Sequence, residues 1–261
     1  MERGEGNVVG MLSDAARRVV FAPLDDSWGR GEAVARRLAG AIAMGLIGDG
    51  EQLPSEQELA LSMNVSTITL RDALSDLRAK GLVETRRGRT GGSFVRASPV
   101  ALAELSRQRL AEVGVSELRD LGDVHMAVAG TAAQLAAQRA SATEIVRLRS
   151  LAVKVGELQD EAELHRIDGR FFIEVAAAAQ SVRLTKQEIG LQAELAPLSW
   201  CLTGDDPARR SRLAADREAV AEAIAGRDSR LARELTEVQL AEDTQVLIAQ
   251  HIELTRRRQR G

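Results

Sequence analysis

The chain has 261 residues, enough for one large domain or two ordinary ones. Hydrophobic residues make up 44% of it but aromatic residues only 2%, with no tyrosine, so a core has to be built from Leu, Ala, Val and Ile, which suits helices packed at close approach. One cysteine, Cys201, excludes an intramolecular disulfide framework and a cysteine-based zinc finger, and fits a reducing compartment.

No stretch approaches the roughly 18 uninterrupted apolar residues of a membrane span. The opening residues lack the charged region, apolar run and cleavage site of a secretory signal, so a cytoplasmic protein without a membrane partner is expected. The formal net charge is −3, yet between Trp28 and Ser98 ten Lys/Arg face eight Asp/Glu, a local excess of about +2. Six of those ten follow Asp76: Arg78, Lys80, Arg86, Arg87, Arg89 and Arg96. Binding to DNA needs a local basic face rather than a basic protein.

Residues 1–27 mix scattered Gly, polar residues and Pro23, which predicts a mobile arm with a short helix around 12–20. From Gly31, Val34, Leu38, Ile42, Leu46 and Ile47 share one helical face, with a stop expected at Gly48-Asp49-Gly50. Ser55 with Glu58 three residues on is a capping box, opening a helix that ends near Asn64. Ser66 caps a further helix over 67–80, whose apolar face is Leu70, Ala73, Leu74 and Leu77 and which Gly81 ends. Residues 82–85 and 93–96 alternate as strands around the basic glycine turn Arg86-Arg87-Gly88-Arg89-Thr90-Gly91-Gly92. Pro99 marks a domain boundary. Beyond it lies only helical periodicity, over 102–113, 117–139, 142–159, 161–180, 181–195 with a break at Pro197, 207–226 and 228–258.

The expected fold is therefore mainly α: a winged helix-turn-helix over 28–98, three helices plus a two-stranded β wing, followed over 99–258 by an all-α antiparallel helical bundle and a tail at 259–261. A recognition helix presents its N-terminal residues to base edges in the major groove, which nominates Ser66, Thr67, Thr69 and Arg71. Arg71 suits a bidentate pair with guanine O6 and N7. Ser55 and Gln57 stand near the phosphate backbone, at a helix N-terminus suited to phosphate, and Arg87, Gly88 and Arg89 form the wing tip. Taken singly, each piece is an ordinary capped helix or solvated loop; the ordered set of helix, turn, helix and basic wing points to double-stranded DNA.

The run LPSEQELALSMNVSTITLRDALSDLRAKGLVETRRGRTGGSFV closely resembles the GntR family of bacterial transcription regulators. The helical remainder resembles its FadR branch, with a FadR-type C-terminal (FCD) ligand-sensing domain, so that the likeness spans 28–258. The resemblance implies a homodimer on an inverted-repeat operator, most often a repressor, whose DNA affinity a small-molecule effector changes. Relatives often carry an arginine among their DNA contacts where this chain has Gln57 and Thr67, which implies a different base preference.

Many members hold a divalent metal with an Asp and a His one helical turn apart and two further His. Here Asp168 is kept, while the His positions hold Phe172, Asp216 and Gln239. Phenylalanine cannot ligate, so no metal and no other cofactor is expected, Asp168 being the one clearly retained family ligand. The resemblance places the effector pocket at His125, Met126, Asp168, Phe172, Asp216 and Gln239. Phe172, Met126 and Trp200 suggest a larger, more apolar effector than a small hydroxy acid.

His125 stands where an arginine often faces the pocket, and is either a ligand contact or a satisfied core histidine. His165, three residues before Asp168, reads as a helix-surface polar partner, and His251 as a surface residue. No GxSxG, phosphate-cradling glycine loop or HExxH occurs, and Cys201 lacks a local His partner, so no catalytic residue and no enzyme is expected. The rival readings are a metal-dependent enzyme built on the bundle and a helical dimerisation scaffold.

Overall fold

The computed structural model describes residues 17–18, 20–23, 30–88, 91–203 and 206–260. The expected arm over 1–27 and the wing residue Arg89 fall wholly or largely outside these. Two compact units divide between Leu105 and Ser106.

The first unit holds helices α1 (Arg30–Ala43), α2 (Glu56–Ser62) and α3 (Thr67–Ala79), then strands β1 (Val83–Arg86) and β2 (Gly92–Val95). Helix α1 packs on α3, and α2 on α3. Val34, Leu38 and Ile42 of α1 meet a core that includes Leu59, Met63, Leu70, Leu74 and Leu77, all buried. The strands pair antiparallel in the register Val83↔Val95 to Arg86↔Gly92. Residues 50–53 lie along the other edge of β2: Gly50 N–H donates to the Val95 carbonyl, Val95 N–H to that of Glu51, and Leu53 N–H to that of Ser93.

The stop of α1 differs from the expectation. The helix ends at Ala43, not at Gly48, because Gly45 takes a left-handed φ of 68°. Leu46 N–H then reaches the Ala41 carbonyl and Gly45 N–H that of Ile42, a Schellman closure. Ile47 still reaches the core, but from the turn rather than the helix.

Helix α4 (Pro99–Glu112) begins three residues earlier than periodicity suggests. Ser98 Oγ accepts from Ala101 N–H, and proline at the first helical position loses no hydrogen bond. Helices α5 (Val115–Arg139), α6 (Ala142–Glu157), α7 (Glu161–Ala178), α8 (Val182–Leu195), α9 (Trp200–Thr203), α10 (Pro207–Ala225) and α11 (Ser229–Arg260) follow, with a 3-10 turn at Ala196–Leu198. The strongest packing is of α5 along α11, followed by α10 on α6, α6 on α7 and α5 on α7. Alanines 132, 133, 136, 137, 176, 178, 221 and 223 build this core around Phe171, Leu148 and Ile224, as the shortage of aromatics requires. A second cluster joins Leu110, Val113, Leu118, Leu198, Cys201, Leu247 and Ile248. The fold is the mainly α class expected, with a winged helix-turn-helix ahead of a helical bundle. No described helix is long and apolar enough to cross a membrane.

Candidate functional site

The first candidate surface is the start of α3. Ser66 is its N-cap: its Oγ accepts from Thr69 N–H at 3.0 Å and shares a 2.8 Å hydrogen bond with Thr69 Oγ1. The Ser66 and Thr69 hydroxyls are thus turned on each other, while Thr67 is exposed. Leu70, Ala73, Leu74 and Leu77 are buried, which fixes the opposite face outward.

Arg71 is exposed, and its Nε donates to Glu56 Oε2 at 2.7 Å. That bond engages one edge of the guanidinium and aims the rest, a positioning role for Glu56 that spacing alone did not reveal. Ile68 was also missed: it is 70% exposed in the first turn of α3, and an apolar side chain on that face is the signal.

The N-terminus of α2, expected to stand near phosphate, carries a capping box. Ser55 caps Glu58 N–H, and Glu58 Oε2 accepts from both the Ser55 N–H (2.9 Å) and its hydroxyl (2.7 Å). The Ser55 hydroxyl bond and then its backbone bond hold the Glu58 carboxyl below its ordinary range. Glu56 stands beside it and pairs with Arg71. Gln57 is exposed beside it.

In the wing, Arg86 lies over the Phe94 ring at 4.2 Å and bonds Glu84 at 2.8 Å, which ties it to the strands. Arg87 and Gly88 are exposed at the tip, and Gly88 has φ 114°, a turn conformation open to glycine.

The second candidate lies inside the helical unit and centres on Arg217, which is 1% exposed. Its Nε donates to Asp168 Oδ1 at 2.6 Å and its Nη2 faces Asp168 Oδ2 at 3.3 Å. Its Nη1 donates to Gln239 Oε1 at 2.9 Å. Gln239 is itself oriented by its Nε2–H bond to the Asp216 carbonyl at 2.9 Å. The guanidinium stacks over the Phe172 ring at 4.5 Å. Asp243, held by Arg209 at 3.0 Å, stands 4.0 Å from Nη2. Burial opposes the charge on Arg217, but the carboxylates of Asp168, Asp243 and Asp216 together outweigh it and hold the group above its ordinary value. Burial likewise pushes Asp216 and Asp243 above the usual aspartate range, with Arg217 pulling both back.

The sequence did carry a signal for Arg217: it sits with Leu213, Val220 and Ile224 on the apolar face of α10, where a charge needs a partner. The residues implied as metal ligands do not fit a divalent ion. Both Asp168 oxygens and the Gln239 carbonyl are engaged by the guanidinium, and Phe172 offers an aromatic face.

His125 also meets Phe172, ring centroids 5.1 Å apart in an edge arrangement. His125 Nε2 donates to Glu188 Oε1 at 3.0 Å, which also accepts from Gln192 Nε2 at 2.8 Å. His125 is thus buried and paired to a buried carboxylate. Met126 packs on the small cluster of Ala129, Phe172 and Leu240.

His165 is not at the surface: it is buried against Trp200, centroids 5.6 Å apart, with Glu161 at 3.8 Å. His251 is half-buried and donates from Nδ1 to the Leu110 carbonyl at 2.8 Å. Cys201 is buried beside Ser106 Oγ at 3.2 Å, and burial pushes its thiol up.

A cleft of about 430 Å³ opens beside the Arg217 cluster, lined by Arg209, Arg212, Asp216, Gln239, Glu242 and Asp243 together with Leu202, Leu213 and Val246. Of the six expected pocket residues, Asp216 and Gln239 line this cleft, and Asp168, Phe172, His125 and Met126 are not in its lining. The cleft mixes charged side chains with the apolar Leu202, Leu213 and Val246, while Phe172 and Met126 lie in core contacts and Trp200 packs on His165.

Two family models match the chain: the gntR family of bacterial regulatory proteins over residues 30–95 and the FCD domain over residues 120–242. The chain is 42% identical over 171 residues to an HTH-type transcriptional regulator, RmpR, of Mycobacterium gastri, a match that covers 66% of this chain and 62% of that protein. Over 84 residues it is 40% identical to a protein of Escherichia coli K12 named as a fructoselysine utilization operon transcriptional repressor, covering 32% of this chain and 34% of that one. The fold is similar to that of E. coli McbR/YncC, with a TM-score of 0.50 and 18% identity over 87% of this chain and 99% of that one.

Proposed function

Because the chain belongs to the GntR family of transcription regulators and carries an FCD domain behind its winged helix, we propose that it is a sequence-specific DNA-binding repressor whose affinity for DNA a small molecule changes. It acts as a cytoplasmic homodimer on an inverted-repeat operator, residues 28–98 reading DNA and residues 99–258 dimerising and sensing the effector.

The observation that carries this reading is the outer face of α3. A buried leucine stripe locks the helix, and Thr67, Ile68 and Arg71 stand exposed on its first turns. Arg71 pairs with guanine, and the Ile68 side chain suits the 5-methyl group of thymine. Arg87 and Gly88, with Arg89 beside them in sequence, approach the phosphate backbone. The cleft beside Arg217 is of a size that takes a small metabolite, and its Asp216, Gln239 and Arg212 select a polar one. Effector binding shifts the population between DNA-competent and incompetent states by as much as its affinity for them differs.

Selection of genomic fragments by the purified chain tests the proposal. The expected outcome is enrichment of a short inverted repeat, with neighbouring genes that indicate the effector's chemistry. Recovery of fragments without a shared sequence would defeat it.

A further inference from the structure

Of the three donor side chains at the positions that would hold a divalent ion, Asp168 and Gln239 are engaged by a side chain of the chain itself. We infer that the guanidinium of Arg217 is the resident cation of this site, so that the domain is built, and its DNA binding regulated, without a metal.

Three positions on two helices converge on this one group. Asp168 of α7 gives it both carboxylate oxygens, Gln239 of α11 gives its carbonyl, and Phe172, one turn after Asp168, gives the face of its ring. Each suits a planar cation better than a spherical one. A guanidinium matches a carboxylate with two parallel N–H bonds and stacks on an aromatic face, and it stays charged when buried. A divalent transition ion wants imidazole or several oxygen donors; Phe172 offers none, and Gln239 is fixed by its own amide bond to the Asp216 carbonyl. The ion would also have to share Asp168 with a fully enclosed positive charge, since Arg217 is 1% exposed. Asp243 supplies a second carboxylate at 4.0 Å, and Arg209 holds it in place. The charge is thus compensated from within the chain. A ligand in the adjoining cleft meets side chains, Asp216 and Gln239 among them, rather than an ion that chelates it.

The test uses the full chain and three ions alone, Zn2+, Ni2+ and Mn2+. Calorimetric titration is expected to show no saturable binding that Asp168→Asn abolishes, and the melting temperature is expected to be the same with and without EDTA. One ion bound per chain, raising the melting temperature and lost in Asp168→Asn, would overturn the inference.

A second arm probes the pair directly. Arg217→Met strands the Asp168 charge and is expected to lower the melting temperature on the order of 10 °C. Adding Asp168→Leu to it is expected to recover most of that loss, since an ion pair replaced by apolar groups is often tolerated. A single variant as stable as the native chain, or a double variant no better than the single, would contradict the pairing. Should Arg217→Met fail to fold, Arg217→Lys, which keeps the charge but not the fork, is expected to melt below the native chain, and a native-like melt would again contradict it.

Discussion

Arg71 and Arg217 are both helical arginines paired to a carboxylate, and burial separates their roles. Arg71 is exposed, so its bond to Glu56 is weak in water. On the proposed docking, Arg71→Ala should weaken binding to the selected operator about ten- to hundredfold, read by fluorescence anisotropy, and leave non-specific affinity nearly unchanged; an unchanged operator affinity would remove α3 from the groove.

Glu174 gives a pH prediction at the same scale. It is 3% exposed, with Arg170 and Arg147 at 3.7 and 3.9 Å, and burial raises its carboxyl above the ordinary value despite both. The folded state therefore binds a proton more readily than the unfolded chain, and stability from this group is present below the unfolded value and lost as pH rises through the folded one. The melting temperature of Glu174→Gln minus that of the native chain should become more positive from pH 4 to pH 8, and a flat difference would refute the assignment. The caps and buried face of α2 and α3 were legible because caps, glycines and a leucine stripe are local signals. The partners of Arg217 and His125 were not, since they depend on which helices meet.

Among the elements, the helices of the first unit end where side chains in sequence say they should, except α1, whose true stop at Gly45 was masked by the more conspicuous glycine pair at 48 and 50. The long helices of the second unit were legible as helices but not as neighbours, because alanine-rich faces carry little to distinguish one partner from another. The pairing of α5 with α11 depends instead on small residues. A Cβ on Gly122 would collide with the Thr244 side chain, so Gly122→Ala should cost about 1–3 kcal/mol by overpacking, seen in urea unfolding. On the proposed docking the wing works through charge. Arg87→Ala should lower affinity for all sequences alike and reduce the slope of log affinity against log salt by about 1; a sequence-selective loss would mean that Arg87 reads bases.

At the scale of the molecule, a local basic face on a chain of net charge −3 makes electrostatics a matter of placement. Family membership came from the winged-helix motif, whose spacing is dense with turn and cap residues. The interior departed from the pattern of its relatives, and only the structure showed that the departures compensate one another around Arg217. Sequence-specific DNA recognition remains the claim on which the rest stands. Its most direct test is an anisotropy titration of the purified chain against a genome-selected fragment and a scrambled fragment of the same composition, over a range of salt. The expected result is a preference of about a thousandfold or more for the selected fragment, with affinity for both falling as salt rises. Equal affinity for the two fragments, or binding indifferent to salt, would contradict it.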